Sequence, residues 1–270
     1  MDNRAIGIFD SGLGGLTAVK AIRQLLPNEN IIYFADSGRV PYGSKSREEL
    51  RLMTEQNMDF LLAQDIKLMV AACGTVSSNA ASVLERCPVP AIGVVDCSAR
   101  ALAQLNGSAP LGIIATEASL RSGAYERALR ELGVDRQIIS CPCPDFVPLI
   151  ESGHTAMGDE LLEDAVERYL HEMKQAGITA LLLGCTHFGI IADSIKAYLG
   201  ESVELVSAAD CVSRELKERI EKMGLEGGSG QEQYYTSGSV QSFREQAVIY
   251  MGRPVEQVEH RVLPEETYRV

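Results

Sequence analysis

The sequence predicts an α/β protein built on mainly parallel sheets, and three observations carry that prediction. Short apolar runs recur along the 270 residues, most of them apolar on both faces, as strands buried between helix layers require. Longer amphipathic stretches fill the gaps, and regular strand–helix alternation builds parallel sheets. A weak internal repeat completes the case. Leu68-Met69-Val70-Ala71-Ala72-Cys73-Gly74-Thr75 resembles Ala180-Leu181-Leu182-Leu183-Gly184-Cys185-Thr186-His187. Each is an apolar strand that delivers a cysteine at its end, with a threonine close behind and a helix to follow. Two similar α/β units are expected, each presenting a cysteine at its carboxyl edge.

In chain order, strands are expected over 6–9, 31–34, 68–72, 91–95, 111–115, 137–140, 180–184, 203–206 and 233–236. The first helix, 16–26, stops at Pro27, which cannot continue it. The second, 46–64, opens with Ser46 and Glu49, a capping box in which each side chain satisfies an orphan backbone donor. Helices over 76–85 and 120–132 follow, the latter with Gly133 as C-cap. The helix over 159–175 is closed by Gly177, and those over 209–223 and 240–251 complete the set. Segment 224–230 (Gly-Leu-Glu-Gly-Gly-Ser-Gly) reads as the most flexible stretch and a candidate linker. The strand run beyond it returns the chain to a folded unit.

Composition narrows the function. No apolar run approaches the 18 residues of a membrane span, and the N-terminus lacks a signal-peptide pattern. A cytoplasmic protein is expected. The formal net charge of -12 sets a field that repels nucleic acid and anionic membrane surfaces. A small anion remains a possible substrate, because backbone N–H groups hold a carboxylate against the global sign. The seven cysteines are odd in number and include no C-x-x-C, so free thiols are expected rather than a disulfide framework. Cys141 and Cys143 are too close together and too isolated for zinc, and no metal site is expected.

Ligands of open α/β sheets bind outside the carboxyl ends of the strands. Four segments stand there: 10–15, 36–43, 73–75 and 185–187. Gly12, Gly14 and Gly15 make a tight strand-to-helix turn. They do not make a nucleotide site, since Thr17 stands where a dinucleotide fingerprint needs its third glycine and no Gly-Lys-Ser/Thr follows. Asp10 and Ser11 then point into the crevice. A lone buried cysteine is usually a small hydrophobe, but two at matching strand ends change that reading. A thiol ionises near pH 8.5 and lower beside a protonated histidine. Racemisation needs one group to remove the Cα proton on one face and a second, already protonated, to deliver a proton to the other. Cys73 and Cys185, facing each other across a substrate, meet that need. His187 is placed to exchange a proton near Cys185, and Asp10 near Cys73.

These motifs, in this order and over nearly the whole chain, resemble the glutamate racemases of the aspartate/glutamate racemase superfamily. The resemblance rests on Phe-Asp10-Ser11-Gly-Leu-Gly-Gly-Leu, on Tyr-Phe-Ala-Asp36 with Arg39-Val-Pro-Tyr42-Gly43, on Ala-Ala-Cys73-Gly-Thr75, on Gly-Cys185-Thr186-His187 and on Tyr-Thr-Ser237-Gly238. It implies two pseudo-symmetric α/β domains, 1–97 with 209–270 and 98–208, with the active site in the cleft between them. It implies Cys73 and Cys185 as catalytic thiols acting without a cofactor, assisted by Asp10, His187 and Glu151. Asp10, Ser11, Tyr42, Gly43, Gly74, Thr75, Thr186 and His187 would hold the substrate. The implied reaction interconverts L- and D-glutamate and supplies D-glutamate for peptidoglycan. Oligomeric state stays open, a homodimer being one option.

Three positions depart from the family pattern. Gly74 stands where an asparagine usually offers the substrate hydrogen bonds, so restoring asparagine is expected to raise kcat/KM for glutamate. Gly189 replaces a proline, and Ser207-Ala208-Ala209 replaces an Asp-Ser run. The first departure keeps two alternatives open: a sister racemase for aspartate or another small acidic amino acid, and a noncatalytic D-glutamate-binding homologue. A metal or redox thiol protein fits less well, because neither key cysteine has a ligand-like cluster around it.

Overall fold

The nine runs expected as strands, and one strand more, are found among the described residues, 1–264, of a computed structural model of the chain. Residues 265–270, the end of the expected first domain, lie outside the described residues. The strands are β1 (Ile6–Asp10), β2 (Ile31–Ala35), β3 (Leu68–Ala71), β4 (Ala91–Gly93), β5 (Leu111–Ala115), β6 (Ile138–Pro142), β7 (Ala180–Leu183), β8 (Glu204–Ser207), β9 (Glu232–Thr236) and β10 (Val258–His260). They form a six-stranded sheet in the order β10-β9-β2-β1-β3-β4 and a four-stranded sheet in the order β6-β5-β7-β8. Every pairing is parallel. The chain passes from the first sheet to the second through helix Val94–Ala103 and returns through helix Ala208–Met223.

Both faces of the central strands are covered, as their continuous apolar character demands. Ile6 and Ile8 of β1 pack into one core cluster and Phe9 into a second. Leu68 and Val70 of β3 split from Met69 and Ala71 in the same way. Register then places the chemistry. Phe9 lies beside Phe34 and Ala71, so Asp10, Asp36 and Cys73 emerge at one carboxyl edge. Leu183 lies beside Ile114 and Ser207, so Thr116 and Cys185 emerge at the other.

The predicted capping box is present. Glu49 N–H donates to Ser46 Oγ at 3.2 Å and Ser46 N–H to the Glu49 carboxylate at 2.8 Å, opening helix Arg47–Leu62. Other expectations are corrected. The helix expected over 120–132 breaks into Glu117–Arg121 and Ala124–Glu131, because Gly123 takes a left-handed φ of 66°. The helix over 76–85 breaks at Ala80 into Gly74–Asn79 and Ala81–Leu84. The run 91–95 stops as a strand at Gly93 and turns into a helix at Val94. Helices Phe146–Glu151 and Ala192–Leu199 and strand β10 were not predicted.

The glycine-rich segment 224–230 is not a free linker. The Lys67 ammonium, completely buried, donates to the carbonyls of Asp2, Leu225 and Gly227 at 2.7, 2.7 and 3.2 Å. It also pairs with buried Glu29, whose other oxygen accepts from Gly227 N–H at 3.1 Å. Asn30 Oδ1 accepts from the N–H groups of Ser229 and Gln231. One buried ion pair therefore ties the N-terminus, the start of β3 and the return path to β9.

Removing one partner of a buried pair leaves the other charge unmatched, at a cost of about 3–5 kcal/mol. Lys67→Met is expected to lower the urea-unfolding free energy by that order, and Lys67→Met/Glu29→Leu to recover part of it. A single variant as stable as the parent would show that the pair ties nothing.

Candidate active site

The carboxyl edges of the two sheets meet across a cleft of about 650 Å³. The structure brings all the sequence-predicted residues to it: Asp10, Ser11, Tyr42, Gly43, Cys73, Gly74, Thr75, Glu151, Cys185, Thr186 and His187 line its wall. Thr116, at the end of β5, also lines it and was missed; its hydroxyl is 3.1 Å from that of Thr75. The strand-end rule applied to the run 111–115 points to this residue. Cys143, a third cleft thiol, was missed as well.

On one wall Asp10 is nearly inaccessible. Its Oδ2 accepts from Gly12 and Gly15 N–H, both at 3.1 Å, while its Oδ1 has no partner among the described residues. Burial pushes this carboxyl up, against the pull of His187 and of those backbone donors. The Cys73 thiol is 3.3 Å from Ser11 Oγ, to which it donates. Burial, with Asp10 beside it, pushes the thiol up to about 12, although Ser11 and the Val76 backbone N–H pull it back. At neutral pH this sulfur holds its proton.

The opposite wall is built differently. Cys185 Sγ lies 3.7 Å from His187 Nδ1, and His187 Nε2 lies 3.3 Å from Glu151 Oε1. Burial works against an imidazolium here, but the Cys185 sulfur, the Glu151 carboxylate and Asp10 outweigh it and raise the imidazole to about 10. The Tyr250 ring packs edge-on against the imidazole, centroids 5.5 Å apart. Gly14 gives the imidazole its place: a Cβ there would stand 2.4 Å from His187 Nδ1 and 2.5 Å from Thr186 Oγ1. Thr17 Oγ1, 3.1 Å from the Thr186 carbonyl, joins the walls at the same point.

The loop after β2 is fixed by Asp36, fully buried, which accepts from Arg39, Tyr42 and Ser237. The Tyr42 hydroxyl is thereby committed, since it also accepts from Asn57 Nδ2 at 3.2 Å. Tyr42 thus offers the cleft its main chain, beside Gly43, where a Cβ would meet nothing within 4 Å. At Gly74 the structure opposes the expectation from sequence. A Cβ there would lie 2.5 Å from the Gly184 carbonyl oxygen, a backbone atom on the opposite wall, so asparagine requires the walls to move apart.

The Asp/Glu/Hydantoin racemase family model matches residues 15–216. A glutamate racemase of Bacillus cereus is 37% identical over 268 residues, covering 98% of this chain and 99% of the relative. The glutamate racemase of Francisella tularensis, solved in complex with D-glutamate, superposes with a TM-score of 0.90 at 33% identity, covering 98% of this chain and all of that one. A glutamate racemase isoform of Bacillus anthracis superposes at 0.92 with 31% identity over the same shares. Fold, cleft and relatives together define an amino-acid racemase. The chain belongs to the Asp/Glu/Hydantoin racemase family.

His187 sets a stability prediction. Below pH 6.5 the imidazole is charged whether the chain is folded or not; between 6.5 and about 10 only the folded chain keeps the proton. That stabilisation is fully present below 6.5 and is lost as pH rises through about 10. The unfolding free energy is expected to fall across this window, and less steeply in His187→Gln. Equal slopes for the two proteins would contradict the assignment.

Proposed function

We propose that this chain interconverts L- and D-glutamate by proton exchange at Cα between Cys73 and Cys185, without a cofactor, and so supplies D-glutamate for peptidoglycan in the cytoplasm. The observation that carries the reading is the pair of buried thiols, delivered by matching strand ends of two sheets to one cleft. Relatives named glutamate racemase over nearly the full chain support glutamate as the substrate.

The step balances in both directions. For one enantiomer the Cys185 thiolate takes the Cα proton, and the bond's electron pair stays on the substrate as a carbanion. The Cys73 thiol then gives its proton to the opposite face, leaving Cys185 as thiol and Cys73 as thiolate. For the other enantiomer the sequence runs backwards. Ser11 and the Val76 N–H stabilise the Cys73 thiolate when it forms. His187, charged at neutral pH and backed by Glu151, does so for Cys185. Asp10 Oδ1, buried and unpartnered among the described residues, accepts from the substrate ammonium. Main-chain donors around Gly43 and the hydroxyls of Thr75 and Thr186 hold the carboxylates. Division of the chain into 1–97 with 209–270 and 98–208 gives each domain one of the two reacting thiols, Cys73 in the first and Cys185 in the second.

Loss of hydrogen chloride from 3-chloroglutamate needs proton removal from one face only, so it isolates each thiol. General-base catalysis contributes about 10²–10⁴-fold. Cys73→Ser is expected to lose activity of that order on one enantiomer while keeping the other, and Cys185→Ser to show the opposite bias. Small, equal losses in both variants would sink the two-thiol assignment.

A further inference from the structure

Beside the two thiols lies a fully buried phenol that the mechanism above does not use. Tyr125, in helix Ala124–Glu131, donates its hydroxyl to the Gly184 carbonyl oxygen at 3.1 Å. That oxygen belongs to the peptide unit whose nitrogen is the Cys185 nitrogen. Peptide units are planar, so fixing the Gly184 oxygen fixes the plane from which the Cys185 side chain departs. Gly184 N–H is itself held by the Ile114 carbonyl at 2.8 Å. The turn into Cys185 is thus clamped on both sides, by β5 and by Tyr125.

The same oxygen is what a Cβ at Gly74 would strike, at 2.5 Å, and that Cβ would come within 3.5 Å of the Tyr125 hydroxyl. A Cβ at Gly184 would likewise meet the Tyr125 hydroxyl at 3.2 Å and the Ile114 oxygen at 2.9 Å. Two glycines therefore leave the space in which the phenol reaches the peptide, and one of them directly follows Cys73. The geometry of one thiol is set by a contact made directly behind the other.

We propose that Tyr125 is a positioning residue for Cys185, and that Gly74 is the position that admits it by letting the two thiol-bearing strand ends close on a shared peptide oxygen. The proposal rests on the two-thiol reading above. It makes Gly74, where the family pattern has asparagine, a steric feature of the closed cleft and not a lost substrate contact.

The test uses 3-chloroglutamate elimination by the full chain, with each face assigned by the cysteine variants. Tyr125→Phe keeps the ring and removes only the hydroxyl. Loss of one buried hydrogen bond that aligns a reacting group corresponds to about tenfold in rate. Elimination through Cys185 is expected to fall by about that factor, and elimination through Cys73 to change by less than about twofold. Gly74→Ala, which displaces the Gly184 oxygen, is expected to show the same bias, and Gly74→Asn to lower glutamate turnover. Equal losses on both faces, or no loss in Tyr125→Phe, would overturn the positioning role. Tyr125→Phe is expected to melt several degrees below the parent, because the Gly184 oxygen loses its donor, and to stay folded at the assay temperature, so its face bias decides the matter even if Gly74→Ala does not fold. If the parent chain eliminates on both faces, only the positioning role is at stake. If it eliminates on neither, the two-thiol reading falls and takes the positioning role with it.

Discussion

The close approach of two backbone edges is the constraint on which the site depends. A racemase needs an acid and a base on opposite sides of one carbon, so two polypeptide walls must face each other within the width of an amino acid. Side chains at the contact points would hold the walls apart. Here the contacts fall at glycines: Gly74 lies against the Gly184 oxygen, and Gly14 lies against His187 and Thr186. Parallel sheets make this possible, because all their strands end on the same edge and the helix that follows each strand turns the chain away from the cleft.

Burial then sets the chemistry of each wall. Burial, with Asp10 beside the sulfur, pushes the Cys73 thiol up, and burial pushes the Asp10 carboxyl up against the pull of its backbone donors. On the wall that carries Cys185, a chain of polar groups, sulfur to imidazole to carboxylate, runs from the buried cleft to half-exposed Glu151. The two thiols are equivalent in the fold but not in their surroundings. One is served by a hydroxyl and a backbone N–H, the other by an imidazole with a carboxylate behind it. That difference suits a reaction in which the two sulfurs exchange the roles of acid and base with the hand of the substrate.

Much of this was legible in the sequence, and the exceptions have physical causes. A strand formed at each of the nine expected places, and the central ones were plainest because a parallel strand covered on both faces leaves a continuous apolar run. Helix Val94–Ala103 was hidden by the β-branched Val94 and Val95, which extended the apparent strand past Gly93. Helix Phe146–Glu151 carries Pro148, which reads as a breaker although it stands in a first turn, where no N–H is needed. Most cleft residues were found because strand ends carry sites whatever the side chains are, whereas Glu151, on helix Phe146–Glu151, was implied only by the family resemblance. The meaning of Gly74 was not legible, since it depends on an oxygen 110 positions away in the chain. Tyr125 was equally silent: in its own helix nothing distinguishes a phenol that reaches Gly184 from one that merely fills the core.

Direct proton exchange at Cα is the step on which the site's chemistry rests. Proton NMR of the purified chain with L-glutamate in D₂O, with no added cofactor and with optical rotation followed in parallel, measures it. Loss of the Cα proton signal together with decay of the rotation is the predicted result. A folded protein with free thiols that leaves both signals unchanged, whether given glutamate or aspartate, would contradict it and make the chain a binder on a racemase scaffold. Exchange with aspartate alone would keep the two-thiol chemistry and contradict the substrate.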